Sequence, residues 1–321
     1  MSNPIFIARQ DTLEQEILPA HWLSQYKLFG EESYTFQDKE IWKKLCMSSA
    51  AANDRDMHAE ALEEMLTTFS AEHTGKWMLT VYGMDAAVLE GLASMAAVAG
   101  NGTAMAAVAA NALLMHAITN SETAMDAIGT SRIARDAVQA SPYYNSYIKE
   151  NDMAIAKLVV ALASLESAGY SGMAGVAADS TAMNAVAASS TAMTAVVASS
   201  TAMTAVAASA TAMGKIAAVD AALSKLAAST TAMDALYARK KQMKDGGASK
   251  SGKFIILEIS QSNTFNTSKY GYATLSDGSK PDWSSYLAKY AFFQKYPKYA
   301  TYMLYDTDSD DYIYYFDIAS P

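Results

Sequence analysis

Basic side chains, cysteine and histidine are scarce in this chain of 321 residues. Its single cysteine, Cys46, cannot form an internal disulfide, and its four histidines lack the clustered cysteines of a structural zinc site. A net charge of -9, from 24 basic and 33 acidic side chains, leaves no basic surface for a nucleic acid. The sequence therefore predicts no cofactor, no nucleic-acid partner and a reducing compartment.

Long apolar runs are also missing. Ser and Thr interrupt the Ala-rich stretches every few positions, so no segment reaches the roughly 18 strongly apolar residues of a membrane-spanning helix. Arg9 and Asp11 come too early for the apolar core of a secretory signal. We expect a soluble chain that has no membrane span and is made in the cytoplasm.

Aromatic residues are absent from one long segment and concentrated in another. None lies between Met173 and Ala235, whereas 17 of the 32 Phe, Trp and Tyr residues fall between Phe254 and Phe316. Such a change in composition indicates a domain boundary. The polar, Gly-rich segment 241–253 lies between the two regions and is predicted to be a linker.

Apolar pairs spaced three residues apart recur every ten residues. They begin at Met95/Val98, weaken between residues 135 and 168, shift by two residues, and resume from Met173/Val176 to Met233/Leu236. Ten residues advance a straight helix by roughly 1000°, about 80° short of three turns, so one helix would carry the pairs around its circumference. The repeat therefore predicts helices of about two turns separated by corners, with the pair on one face of each.

Capping residues support this interpretation. Residue types that cap helix N-termini recur before each new repeat, at Ser180, Ser190, Ser200, Asp220 and Thr230. Helices this short are unstable alone, so the repeats must stack on one another or on partner chains. We interpret the recurring Met side chains as core filler and not as metal ligands.

The chain thus divides into four predicted parts. Residues 1–81 form a helical docking domain, residues 82–240 an Ala-rich decapeptide-repeat array of short helices, residues 241–253 the linker, and residues 254–321 a small, aromatic-rich α+β tip domain. The predicted fold class is mainly α.

Within the tip, strand and helix patterns are short. The stretches "FIILEIS" and "YGYATL" predict strands, and residues 276–278 predict a turn. Residues 282–296 have the apolar spacing of one helix, and residues 302–318 predict a hairpin with an acidic tip. Four tyrosines alternate along the predicted strands and are candidate binding or interface residues: Tyr270, Tyr272, Tyr312 and Tyr314.

The acidic tip raises the question of calcium. Asp306, Asp308, Asp310 and Asp317 occupy positions 1, 3, 5 and 12 of a calcium loop, which makes them candidate metal ligands. Asp311, however, stands where that loop needs a glycine, and the flanking residues are strand-like rather than helical. A solvated turn is the favoured interpretation.

No combination of nucleophile, base and acid forms a catalytic motif in this sequence. The sequence therefore predicts a protein that is not an enzyme, with no catalytic and no cofactor-binding residue.

The "SSTAMTAVAAS" repeats resemble those in structural proteins of tailed bacteriophages, often tail-fibre or tail-appendage proteins. The resemblance covers roughly residues 82–240. It implies a virion protein, assembled in the host cytoplasm, that links a docking domain to a tip for host attachment. Its implied partners are other virion proteins, further copies of itself with a trimer favoured, and a host surface glycan or receptor.

Other classes of function remain open at this point. A capsid or collar decoration or fibre protein shares the same plan of parts. An ice-binding protein could use Ala/Thr arrays, but it needs its Thr residues on one face, which a ten-residue period does not maintain on one helix. A bacterial surface adhesin would also fit the plan, although the expected secretion signal is missing.

Overall fold

The computed structural model describes residues 92, 94–244, 248–260, 271–283, 287–305 and 312–321. The chain divides into two compact units, Met1–Ile148 and Lys149–Pro321. The predicted docking domain, residues 1–81, lies outside the described residues. Among the residues that are described, no single helix is long and apolar enough to cross a membrane.

The first unit contains short helices that follow the ten-residue repeat. They are α1 (Met95–Gly100), α2 (Gly102–Ala109), α3 (Ala112–Asn120), α4 (Glu122–Thr130), α5 (Arg132–Ala140) and α6 (Tyr144–Tyr147).

The second unit continues with helices of similar length. They are α7 (Asp152–Leu162), α8 (Met173–Ala178), α9 (Ser180–Ala188), α10 (Ser190–Ala198), α11 (Ser200–Ala207), α12 (Ala210–Ala217), α13 (Asp220–Ala228) and α14 (Thr230–Ala238). The short helices and their corners are therefore as the repeat predicted. Residues 163–172 are an exception, because the weak repeat there forms turns instead of a helix.

Within each unit the helices stack in layers of three, an arrangement that we call a solenoid. Helix α2 packs on α5 in the first unit, and α9 packs on α12 in the second, so a helix of the regular repeat contacts the third one after it within its unit. The chain bends by 102° between α9 and α10. Three such corners bring the chain back over itself one layer further on, as the contacts between every third helix show.

The inside of the solenoid is lined by the same four positions of the regular repeats, which are all buried in α2 and in α9 to α13. In α9 these are Ala182, Met183, Val186 and Ala187, which are at most 3% exposed. Positions one, four and five residues apart lie on one face of a helix, while Ser and Thr occupy the outer face. Stacking thus buries the apolar stripes within the chain, so the stripes themselves need no partner chain.

Serine residues at the helix starts connect adjacent layers. The hydroxyl of Ser209 accepts a hydrogen bond from the backbone N–H of Ala212 (3.1 Å) and donates one to the carbonyl of Ala177, 32 residues earlier (2.6 Å). The same double role recurs at Ser131, Ser229 and Ser189. These capping residues lie one position before the predicted ones, because helices such as α10 and α11 already include Ser190 and Ser200.

The C-terminal part of the second unit is a six-stranded antiparallel sheet with the order β1-β6-β2-β5-β3-β4. Its strands are β1 (Lys241–Lys244), β2 (Ala248–Ser260), β3 (Gly271–Leu275), β4 (Asp282–Trp283), β5 (Ala300–Tyr305) and β6 (Tyr312–Asp317), and the short helix α15 (Ala291–Lys295) precedes β5. The strands predicted from "FIILEIS" and "YGYATL" are present in β2 and β3.

The predicted fold class, mainly α, is wrong for the described chain, which is of a mixed α and β type. Strands occur where the sequence predicted a linker: segment 241–253 supplies β1 and the first part of β2. Lys, Gly and Ser make up most of this segment, so its composition resembles a linker even though β1 and the first part of β2 pair in the sheet.

Two further predictions for the C-terminal part are also wrong. Residues 302–318 do not form a hairpin, because β2 lies between β5 and β6 and pairs with both. Residues 282–296 do not form one helix, because Asp282 and Trp283 pair with β3 and, of the described residues in this segment, Ala291–Lys295 form the helix. In both cases pairing with a strand outside the segment replaced the local pattern.

One face of the sheet packs against the end of the helical array. Ile255, Leu257 and Phe316 from the sheet share a buried core with Met233 and Leu236 of α14. The sheet therefore covers the last layer of the solenoid in place of a further repeat.

Candidate functional site

The most distinctive group of side chains lies where α14 meets the sheet. Tyr237 stands at the last inward position of its repeat, where Ala187, Ala217 and Ala227 stand in other repeats. Its ring is half-buried and reaches the sheet, since no further helical layer follows. An aromatic residue in the place of a repeated alanine is the sequence signal that could have identified this site.

An irregularity in β2 brings two strand residues towards Tyr237. The register between β2 and β6 shifts between Ile256 and Glu258, so Leu257 is an extra residue and Glu258 faces the same side as Tyr314. The hydroxyl of Tyr237 donates a hydrogen bond to Glu258 Oε2 (2.6 Å).

Tyr290 approaches from the other side. Its backbone is left-handed (φ 73°), a conformation that non-glycine residues rarely adopt and that is held here by the bond from its N–H to the Leu257 carbonyl (2.5 Å). Its hydroxyl donates to the carboxylate of Asp234 on α14.

We call Tyr237, Tyr290, Tyr312 and Tyr314 the tyrosine cluster. The ring of Tyr237 lies 5.8 Å from that of Tyr290 and 5.9 Å from that of Tyr314, nearly perpendicular to both (85° and 79°). The rings of Tyr312 and Tyr314 are 4.4 Å apart.

Two lysines place their ammonium groups over these rings. Lys240 Nζ lies 4.1 Å from the ring centre of Tyr237 and 5.1 Å from that of Tyr314. Lys289 Nζ lies 4.4 Å from Tyr237 and 4.5 Å from Tyr290, and it forms an ion pair with Asp234 (3.0 Å). All these distances are within the range of cation–π attraction.

The ionisation of the cluster follows from these contacts. Burial, followed by the hydrogen bond to Glu258, raises the pKa of Tyr237, and burial with the bond to Asp234 raises the pKa of Tyr290. The bonds from Tyr290 and Lys289 lower the pKa of Asp234. At neutral pH Tyr237 and Tyr290 are therefore neutral and Asp234 is charged, an arrangement that attracts cations.

The predicted tyrosine set is divided in the structure. Tyr312 and Tyr314 belong to the tyrosine cluster, whereas Tyr272 lies on β3 with its ring 5.8 Å from that of Tyr302. Tyr270 lies outside the described residues. Tyr237, Lys240, Lys289 and Tyr290 were not among the predicted site residues.

The calcium hypothesis rests mostly on residues that are not described. Asp306, Asp308 and Asp310 lie outside the described residues, and Asp317 is in β6. The carboxylate of Asp317 accepts a bond from the N–H of Ala319 (3.2 Å) and pairs with Lys241 (3.5 Å). Within the described ranges, no three His, Cys, Asp or Glu side chains are grouped to hold a metal ion.

No protein-family model matches this chain, and the search of curated proteins returned no similar sequence.

Proposed function

We propose that this chain is a non-enzymatic structural component of a phage virion, of the tail-fibre or baseplate-appendage type. In this proposal the solenoid is a spacer between a docking segment at residues 1–81 and a binding tip formed by the C-terminal sheet. The resemblance of the repeats to those of phage structural proteins supports the assignment to a virion.

The observation that carries the spacer role is the set of serine bonds between layers. Each one joins a helix start to a helix end in the preceding layer, as Ser209 does to Ala177 and Ser229 does to Val197. Because the bonds and the inward residues repeat, layers can be added or removed without a new core being designed. A spacer of adjustable length needs this property, and a catalytic domain does not.

The way the solenoid ends is evidence that the sheet forms a terminal tip. The last inward layer packs against the sheet and so is not left open. The resemblance to phage fibres adds homo-oligomerisation to the proposal, with a trimer favoured. It also adds the proposed partners, which are other virion proteins and a host glycan or receptor.

The proposal is tested by locating the chain on the particles of the phage that encodes it. Gold-labelled antibodies against residues 254–321 should decorate the distal part of the tail or baseplate in electron micrographs. Label on the capsid or collar would favour a decoration protein, and particles without the chain would overturn the virion role.

A further inference from the structure

The tyrosine cluster contains two corners made by perpendicular rings. One corner lies between Tyr237 and Tyr290 and the other between Tyr237 and Tyr314, with ring planes 85° and 79° apart. A cation in such a corner contacts two electron-rich surfaces at once, and this is how proteins recognise quaternary ammonium groups.

Both corners hold a cation, but they hold it differently. Lys289 in the first corner is fixed by its ion pair with Asp234 (3.0 Å). In the part of the chain that the structure describes, Lys240 makes no ion pair and contacts the rings of Tyr237 and Tyr314. Lys240 also lies just beyond the end of α14, and its side chain is only partly buried, so it can leave the corner without unfolding the helix.

Negative charge lies beside this second corner. Glu258 accepts the hydroxyl hydrogen of Tyr237 and faces the side of the sheet that carries Tyr314. The carboxylate thus bonds to the hydroxyl of Tyr237, at the edge of that ring, and adds negative charge beside the corner.

We propose that the corner between Tyr237 and Tyr314 is a binding site for a quaternary ammonium group, which Lys240 occupies when no ligand is bound. A primary ammonium such as Lys240 Nζ is strongly hydrated, whereas a trimethylated ammonium loses less hydration and packs its methyl groups on the rings. A choline-type group is therefore expected to displace the lysine. The site is independent of the proposed virion role.

The test uses choline and its uncharged isostere 3,3-dimethylbutan-1-ol, followed by NMR titration of the full chain at constant ionic strength. We expect choline to bind the wild-type chain and to bind Lys240→Ala about tenfold more tightly, because the competing cation is gone. Lys295→Ala is the matched control, since Lys295 lies over Tyr296 instead (5.1 Å), and it should bind choline as the wild type does.

Ring variants distinguish this site from general binding to the surface. Tyr314→Phe keeps the ring and should keep choline binding, whereas Tyr314→Leu removes it and should abolish binding, with thermal unfolding used to confirm that each variant is folded. Equal affinity for choline and the uncharged isostere, or no choline binding by Lys240→Ala, would overturn the proposal.

Discussion

At the scale of single residues, the serines between the helices have two functions at once. Ser209 caps α12 and bonds to the carbonyl of Ala177 in the layer before. Ser209→Ala should therefore lower the free energy of unfolding by about 1–2 kcal/mol, since α12 loses its cap and the part-buried carbonyl of Ala177 loses its donor. Chemical denaturation would measure this. Ser180→Ala, at an exposed helical position, is the control and should change stability by less than about 0.5 kcal/mol.

Two glycines should respond to alanine in opposite directions. A Cβ on Gly172 would collide with the carboxylate of Asp152, which accepts the N–H of Met173 (2.9 Å) at the start of α8. Gly172→Ala should therefore destabilise the chain by on the order of 1–3 kcal/mol. Gly214 lies inside α12, and apart from its neighbours and the backbone of that helix no atom lies within 4 Å of an added Cβ, so Gly214→Ala should stabilise the chain by up to about 1 kcal/mol. Melting temperatures that move in the same direction would refute this assignment.

Glu150 makes stability depend on pH. Burial raises its pKa, but the hydrogen bonds from Ser200 and Thr201 at the start of α11 outweigh burial and lower the pKa overall. A carboxylate with a lowered pKa stabilises the fold above its ordinary pKa of about 4.3, and the contribution disappears as the pH falls through the folded-state value. Glu150→Gln should thus lower the melting temperature at neutral pH, and this difference should shrink as the pH falls from about 4.3 through the lowered folded-state pKa.

The matched control is Glu166→Gln, because Glu166 is exposed and follows α7 in the same unit. A difference between wild type and Glu150→Gln that is as large in acid as at neutral pH would show that the carboxylate charge is not responsible.

At the scale of elements, the sequence predicts what is local and repeated. The Met/Val spacing predicts the helices and their inward faces. Ten residues are not a whole number of helical turns, so the pairs can stay on the inner side only if the chain turns a corner between repeats. The weak copy at Leu165/Ala168 was misleading, since residues 163–172 form turns with Ser164 at φ 63° and Gly169 at φ 90°.

The sheet could be predicted only in part, because its pairing is not local. Strand β2 pairs with β5 through its first half and with β6 through its second, and no pattern within residues 302–318 reveals that β2 separates these two strands. The tyrosine cluster depends on the same long-range pairing. Tyr312 and Tyr314 could be chosen from their alternation, whereas Tyr290 is 53 residues from Tyr237 and meets it only once the sheet covers α14.

At the scale of the whole molecule, three helices make one turn of the array. The array should therefore tolerate deletions of whole turns and not of partial turns. Deletion of residues 190–219 removes α10, α11 and α12 and joins Ser189 to Asp220, so every remaining inward residue keeps its place. Deletion of residues 190–204 joins Ser189 to Ala205 instead and carries Val206 to an outward position. The first deletion should therefore fold cooperatively and the second should not.

Two measurements test this rule of whole turns. Circular dichroism during heating should show a sharp transition for the 30-residue deletion and a broad or much lower one for the 15-residue deletion. Spin labels can be placed at Asn184 and Asp277, which are both exposed, in a chain whose Cys46 is replaced by serine. After the 30-residue deletion the two labels should lie closer by about one helix layer, 8–10 Å. An unchanged label distance, or equal stability of the two deletions, would mean that the layers are not interchangeable units and that the array is not a spacer of adjustable length.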